Sequence, residues 1–407
     1  MPEWAPAGTD ERIGAKKTFF WCQSPPNPIG RAASTERGGL RAVNSVAEVF
    51  RPLIPRERKS IVTPFDSPAH PRLTLSVALA TFNGSRFVAA QIASILAQHT
   101  LPDEIVVSDD NSADDTVAVV RSALAAAPAT VKVTVRESSV QQGVTANFAR
   151  AIELCTGEIV VLCDQDDLWQ PTRISAALSA FEIDSGLLLQ HADARLIDEL
   201  DVPLGTTLFA GLGVTPAHRA AINDGNGKGP NNGTSTGAFA LYLRRNLVTG
   251  ATVMFRRALL QAALPFPSEW IHDEWLAIIA AATGRVAVST AVGIDYRQHS
   301  TNVIGVTQPT LRYKISRLLK TTATRNQLLA VRAQILAERL EGISGVSPVV
   351  RTAAWEKTRF ESERAKFPDA RIARLPAIWR AARGGRYRRY ASRAQLDIVR
   401  DLLRRPA

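Results

Sequence analysis

Cysteine is scarce in this chain of 407 residues: three are present, at positions 22, 155 and 163. Their odd number and their spacing fit neither a disulfide framework nor a metal-ligand cluster, so neither kind of staple organises the fold. Long apolar runs are absent as well. None approaches the roughly 18 residues that a spanning helix needs, which argues against an integral membrane bundle. The N-terminus has no basic stretch leading into an apolar one, so no secretory leader is expected and the cytoplasm is the default compartment. No G-x-G-x-x-G follows the first apolar strand, which disfavours a dinucleotide-dependent dehydrogenase. Internal repeats are missing too.

What is present reads as a water-soluble globular chain, with 45% hydrophobic and 21% charged residues and a mean hydropathy of −0.03. The length allows two or three structural units, one of them about 200 to 250 residues long. The formal charge of +11 is unevenly placed. Residues 306–407 hold 23 Lys and Arg against 8 Asp and Glu, a net +15, whereas residues 1–305 hold 26 against 30, a net −4. The basic excess therefore belongs to the tail, and chemistry is to be sought upstream of it.

Residues 1–70 contain Pro and Gly clusters without sustained periodicity and are expected to be an irregular, partly disordered extension. From Leu73 the pattern changes. Leu75, Val77 and Leu79 alternate in a short run that ends at Thr81-Phe82-Asn83-Gly84, a strand and its turn. Phe87, Ile92, Ile95 and Leu96 then recur at helical spacing, and Glu104 to Ser108 reads as a second buried strand. A helix to about Ala127, a strand from Val131 to Val135, a helix from Thr145 to Leu154 and a strand from Glu158 to Cys163 continue the alternation. Such alternation predicts an α/β fold: a mostly parallel sheet flanked by helices, binding ligands at the carboxyl ends of its strands. Beyond it we expect a helix over Thr172–Phe181 and a strand near Leu187–Gln190, then a Gly- and Asn-rich mobile loop over Gly211–Gly237 that would close over substrates. A strand over Gly250–Phe255, a helix over Asp273–Ala282 and a strand over Arg285–Val288 follow, and the domain closes near Gly305.

Acidic clusters land at the predicted strand ends. Asp164-Gln165-Asp166-Asp167 places carboxylates at i and i+2 of an extended segment, where both can face one site. Hard oxygen donors of this kind suit Mg²⁺ or Mn²⁺ that also holds a diphosphate; the alternative is an acidic helix cap. Asp109-Asp110-Asn111-Ser112 could present a carboxylate to a nucleobase or a ribose, or form an Asx turn. Asp273-Glu274 opens a helix and could supply a general base or a cap. Arg297 and His299 follow the last strand and could bind phosphate oxygens, although a lone His is more often structural.

In order and spacing, Thr81-Phe82-Asn83-Gly84, Val107 to Ser112, Gly143 with Asn147, and Cys163 to Pro171 resemble the family 2 glycosyltransferases of GT-A fold. Thr249 to Thr252, His272-Asp273-Glu274-Trp275 and Tyr296 to Asn302 are similar to its bacterial rhamnosyltransferase-like branch. The resemblance spans residues 73–305. It implies a Rossmann-like nucleotide-binding half and an acceptor half, giving a GT-A domain over 71–305 and a mainly helical basic region over 306–407. It further implies that Ala80, Thr81, Phe82 and Asn83 line the nucleotide and that Asp110, or else Asp109, meets the base, with Gly143 and Asn147 nearby. Asp164 and Asp166 match the DxD element, with Asp166 the metal ligand and Asp164 on metal or ribose, while Asp273 matches the catalytic base. Asp167, Trp169, Gly250, His272, Glu274, Arg297 and His299 complete the set as acceptor or diphosphate contacts. His272 stands where the family usually has Glu, which alters the local charge.

The resemblance implies metal-dependent, inverting transfer of one sugar from a dTDP- or UDP-linked donor to a glycan or lipid-linked saccharide, as in bacterial surface polysaccharide synthesis at the cell envelope. The Gln-x-x-Arg-Trp element of processive synthases is missing, so single addition is expected. Arginines interleave with Ile372, Leu375, Ile378 and Trp379 in the tail, a composition suited either to the inner face of an anionic membrane or to a solvated helical subdomain. The rival readings are a metal-dependent sugar nucleotidyltransferase and a protein that binds nucleic acid through the tail. The second leaves the acidic clusters without a purpose, so no specific nucleic-acid partner is expected.

Overall fold

In the computed structural model, residues 72–224, 237–299 and 323–404 are described. The expected N-terminal extension lies outside them. Four parallel strands form the first half of the sheet: β1 (Leu75–Thr81), β2 (Glu104–Asp109), β3 (Lys132–Glu137) and β4 (Ile159–Cys163), side by side in the order β3-β2-β1-β4. Every residue of β1, β2 and β4 is buried, as continuous apolar strands covered on both faces must be. Side-chain alternation divides the core. Leu75, Val77 and Leu79 share one cluster with Val88, Ile92 and Ile95 of α1 (Val88–Leu96) and Val120 of α2 (Thr116–Leu124). Ala78 and Ala80 share the other with Phe148, Ala151 and Ile152 of α3 (Val144–Leu154).

The second half starts with a two-residue strand β5 (Leu168–Trp169) and α4 (Arg173–Ile183), followed by the long β6 (Leu187–Ile197) and its hairpin partner β7 (Pro203–Thr207). Next come α5 (Leu208–Leu212), α6 (Pro216–Asp224), α7 (Gly237–Arg244), a 3₁₀ turn at Gly250–Thr252, β8 (Met254–Arg256), α8 (Leu260–Ala263), α9 (His272–Thr283) and β9 (Arg285–Arg297). The sheet continues β4-β8-β6-β9-β5, with β8 antiparallel to both neighbours and β6 parallel to β9.

Three expectations need correction. The loop anticipated over Gly211–Gly237 contains α6, and residues 225–236 lie outside the described residues. Ile222 is buried in the core, and Asn223 pairs through both atoms of its amide with the backbone of Val288, so α6 is tied to β9 despite its polar composition. The strand expected over Gly250–Phe255 is instead the 3₁₀ turn followed by the three residues of β8. β6 and β9 run on well past their apolar starts. Their register shifts absorb the polar residues of β9, which apolar periodicity alone leaves out of a strand.

Among the described residues five helices follow: α10 (Ala323–Gly342), α11 (Pro348–Ala365), α12 (Arg371–Arg383), α13 (Arg386–Tyr390) and α14 (Ala394–Leu403). Leu336, Leu340, Phe360 and Tyr387 join the core cluster that contains Trp270 and Trp275, so these helices pack into the core of the α/β part. Several of their charges are internal. Arg364 donates to Asp401 through Nε at 2.7 Å and Nη2 at 3.0 Å and to Glu361 at 2.6 Å, and the Tyr387 hydroxyl donates to Asp401 at 2.6 Å. Arg374 is buried against the carbonyls of Asp401 and Arg404, among others. Among the described residues no helix is long and apolar enough to cross a membrane.

Candidate active site

The carboxyl ends of β1, β2 and β4 meet at one edge of the sheet, and their turns are wired together by side chains. Asn83 and Asn111 adopt left-handed backbone conformations, which Asn tolerates better than most residues. The Asn83 N–H donates to Ser112 Oγ, and Asn83 Oδ1 accepts the Ala113 N–H, so the first turn is laced to the second. Gln165 grips the first turn from the other side: its Oε1 accepts the Phe82 N–H at 2.8 Å and its Nε2 donates to the Phe82 carbonyl at 3.0 Å. A methyl group on Gly84 would run into that amide, 2.1 Å from Oε1. Phe82 itself is 37% exposed at this edge.

The two carboxylates after β2 have different surroundings. Asp109 is an internal brace, accepting from Thr81 Oγ1 and from both the N–H and the hydroxyl of Ser112. Asp110 reaches the loop before α3 and accepts the N–H groups of Gln142 and Gly143 and the Arg150 guanidinium. Gly143 has φ +91, a conformation that disfavours any side chain, and it presents its N–H to Asp110 at 2.7 Å. Asn147 Nδ2 donates to the Thr81 carbonyl, and its Oδ1 accepts from Arg150. Thr81, Asn83, Asp109, Asp110, Gly143 and Asn147 thus belong to one hydrogen-bonded rim, whereas Ala80 precedes it in β1 and packs into the core.

Beside it lies the acidic cluster. β5 pairs with the end of β9, Leu168 opposite Asp295 and Trp169 opposite Ile294, which brings Arg297 and His299 to Asp164-Gln165-Asp166-Asp167. The Arg297 N–H donates to Asp167 Oδ1 at 3.0 Å and its Nε to the Asp166 carbonyl at 2.7 Å. His299 Nε2 lies 2.7 Å from Asp166 Oδ2. Phe87 is the shared platform, stacked with the His299 ring at 5.0 Å and lying under the Arg297 guanidinium at 4.7 Å. Burial, then the charges of Asp166 and Asp273, raise the Asp164 carboxyl to about 7. Burial and the charges of Asp166 and Asp164 likewise push Asp167 well above the usual carboxylate range, and its Oδ2 is buried without a hydrogen-bond partner.

These donors fit a hard divalent cation. Repelling carboxylates and an unpartnered buried oxygen are what a cation relieves, and a Mg²⁺-type ion shared with a diphosphate needs only one or two protein carboxylates. Among the described residues, no group of three or more His, Cys, Asp and Glu forms a complete metal cage.

Asp273 stands in the first turn of α9. Its Oδ2 accepts the Gly250 N–H at 2.9 Å and its Oδ1 the Glu274 N–H at 2.6 Å, which fixes the carboxylate. Burial lifts it to about 7, with the Glu274 charge acting in the same direction. The Asp273 charge also contributes to the rise of the Asp164 carboxyl.

Other residues of the expected set are engaged elsewhere. His272 is buried, stacked on Phe148 at 4.2 Å, and burial drives it down to about 3, so the ring is neutral at physiological pH. The Glu274 carboxylate is taken by Arg332 of α10, whose guanidinium also covers Trp270 at 4.2 Å. Trp169 is buried beneath the Arg173 guanidinium at 4.0 Å. Gly250 contributes its N–H to Asp273; a methyl group there would lie 3.0 Å from His272 Nε2. The sequence reading passed over Gln165, Arg150 and Phe87. Position inside the acidic run marks Gln165, and i+3 spacing from Asn147 marks Arg150, whereas nothing local distinguishes Phe87 from a core residue.

The curled, mostly parallel α/β sheet flanked by helices, with its acidic turns at one edge, is of GT-A architecture. Residues 76–260, a little under half of the chain, match the profile of glycosyl transferase family 2. An uncharacterized glycosyltransferase of Nostoc sp. is 31% identical over 120 residues, covering 29% of this chain and 36% of that protein. The chain thus matches about a third of the length of that curated relative. Two solved structures are similar across 81% of this chain. Staphylococcus aureus TarS 1–349 in complex with UDP-GlcNAc is 16% identical, with TM-score 0.43 over 90% of that chain. The mannosyltransferase PcManGT of Pyrobaculum calidifontis in complex with GDP-Man and Mn²⁺ is 18% identical, with TM-score 0.45 over 86%.

Proposed function

We propose that the chain transfers one sugar from a nucleoside-diphosphate donor to a hydroxyl of a glycan or lipid-linked saccharide, with inversion at the anomeric carbon. One observation carries this reading: the acidic cluster Asp164-Asp166-Asp167, with Asp167 Oδ2 buried and unpartnered, follows β4 at the edge where Gln165 grips the Phe82 turn and His299 meets Asp166. In this reading Ala80 to Asn83 and Asp110 hold the nucleoside. Asp164 and Asp166 would hold a divalent cation, Mg²⁺ or Mn²⁺, which when bound offsets charge on the leaving diphosphate. Arg297 and His299, braced on Phe87, supply further positive and hydrogen-bonding groups beside it.

Asp273 removes the acceptor hydroxyl proton as attack proceeds from the face opposite the leaving group. Its two backbone hydrogen bonds hold it in one orientation, and a pKa of about 7 places it near the pH at which a general base is most effective. Resemblance to the rhamnosyltransferase-like branch makes dTDP-rhamnose the first donor to try, with UDP-sugars next. A lipid-linked acceptor would put the enzyme at the inner face of the cell membrane. The domain limits at 71–305 and 306–407 are part of the same proposal.

Thermal unfolding with a panel of nucleoside diphosphates and nucleotide sugars, each with and without Mn²⁺ or Mg²⁺, tests the donor site. A ligand that binds only the folded state raises stability by about 2.7 kcal/mol at a hundred times its Kd. We expect a metal-dependent shift for one donor that Asp166→Ala loses. No shift from any nucleotide would overturn the reading.

A further inference from the structure

α12 is amphipathic in an unusual sense: its inward face is partly cationic and its outward face partly apolar. Arg374, Ile378 and Ala381 point inward and are buried. Ile372, Leu375 and Trp379 recur at i, i+3 and i+7 on the opposite side and are 81%, 48% and 60% exposed. Exposed large side chains scattered singly are ordinary, but three aligned on one helix, one of them Trp, form a patch that calls for an occupant.

The charges around the patch say which occupant. Arg371, Arg380 and Arg383 are exposed at its margins, and the Arg383 guanidinium lies 5.1 Å above the Trp379 ring. From Arg371 to Arg389 the sequence contains no Asp or Glu, so no acidic side chain of this segment neutralises them. A narrow apolar stripe rimmed by arginine fits the boundary of an anionic bilayer. There the apolar side chains enter the acyl boundary, the Trp ring sits at headgroup level, and each arginine meets lipid phosphate. Three side chains on a single helix are too few for a stable protein interface, which takes roughly 20 to 30 residues a side.

We propose that this face of α12 docks the protein on an anionic membrane surface, with Ile372, Leu375 and Trp379 inserted and Arg371, Arg380 and Arg383 on the headgroups. The inference deepens the reading of a lipid-linked acceptor but does not rest on the donor chemistry. Failure of every nucleotide to bind would leave vesicle binding untouched, and the reverse holds as well.

The test is co-sedimentation of the full chain with vesicles of phosphatidylcholine alone or mixed with phosphatidylglycerol, at low and high salt. Binding is expected to the mixed vesicles and to be about tenfold or more weaker to pure phosphatidylcholine. Ile372→Ser with Trp379→Ser should weaken binding about tenfold, and Arg371→Gln with Arg380→Gln and Arg383→Gln about a hundredfold at low salt. Both sets alter exposed positions only, so unfolding temperature should stay at the wild-type value. Quenching of tryptophan fluorescence by brominated lipid should fall in Trp379→Phe. Failure of the wild type to pellet would overturn the proposal. So would unchanged pelleting of the serine variant, or duplex DNA bound as tightly as the vesicles and lost only with the arginines.

Discussion

Replacing Asp273 by Asn should separate what this carboxylate does for chemistry from what it does to stability. Burial raises its pKa from 3.8 to about 7. Between those values the folded chain holds the proton more tightly than the unfolded chain, so stability is greatest below about pH 4 and falls as pH rises to about 7. Roughly three units at ~1.4 kcal/mol each make the fall about 4 kcal/mol. Asn is uncharged throughout and escapes it. Asn also has one acceptor oxygen where the carboxylate has two, so either the Gly250 or the Glu274 N–H loses its partner, a penalty of about 1 kcal/mol. We therefore expect Asp273→Asn to be more stable than wild type by about 3 kcal/mol near pH 8 in the presence of chelator, and less stable by about 1 kcal/mol near pH 4. Urea unfolding across that range measures it. Turnover should fall by about 10²- to 10⁴-fold while donor-induced stabilisation persists, and wild-type kcat/KM should rise with pH through about 7. A variant that follows the wild-type pH slope of stability refutes the electrostatic argument; near-normal turnover refutes the base assignment.

Asp401→Ala leaves the buried Arg364 guanidinium with Glu361 alone and strips a partner from Tyr387, so unfolding free energy should drop by about 3 to 5 kcal/mol in urea titrations. A loss below about 1 kcal/mol would mean that the network relaxes or is hydrated. Gln165→Leu frees both polar groups of the Phe82 peptide at an exposed edge where water can replace them, so stability should change by less than about 1 kcal/mol while donor affinity weakens; calorimetry giving an unchanged Kd would contradict a positioning role. Arg332→Gln unpairs Glu274, one residue from Asp273, and should move the lower limb of the pH–rate profile upward. Glu274→Gln in the same background should bring it back, and an unmoved limb in the single variant would show that the pair is only structural.

Much of the first half was legible because its physics is local. Leu75 to Thr81, Glu104 to Asp109 and Ile159 to Cys163 are apolar runs with one conformational solution, and each ends in residues that turn the chain or carry carboxylates. The second half was harder to read. The polar α6 is held by Asn223 against β9, and β9 continues through Ser289, Thr290 and Gly293 because β6 and β5 pair with it. No periodicity in those segments announces such partners.

Sequence alone therefore determined the order of strands and helices through Cys163, the acidic clusters at the strand ends and the concentration of basic charge after residue 305, since composition and spacing carry all three. Tertiary structure decided what each charged group faces. Asp109 is consumed as a brace whereas Asp110 ties down a loop, and His272 is stacked in the core whereas His299 meets Asp166. It also sorted the tail's arginines into buried braces such as Arg364 and Arg374 and exposed ones such as Arg380 and Arg383. The reason is one of distance. Hydrogen bonds and desolvation act over a few ångströms, and only the folded chain determines which residues, in several cases more than thirty and in some more than a hundred apart in sequence, come that close.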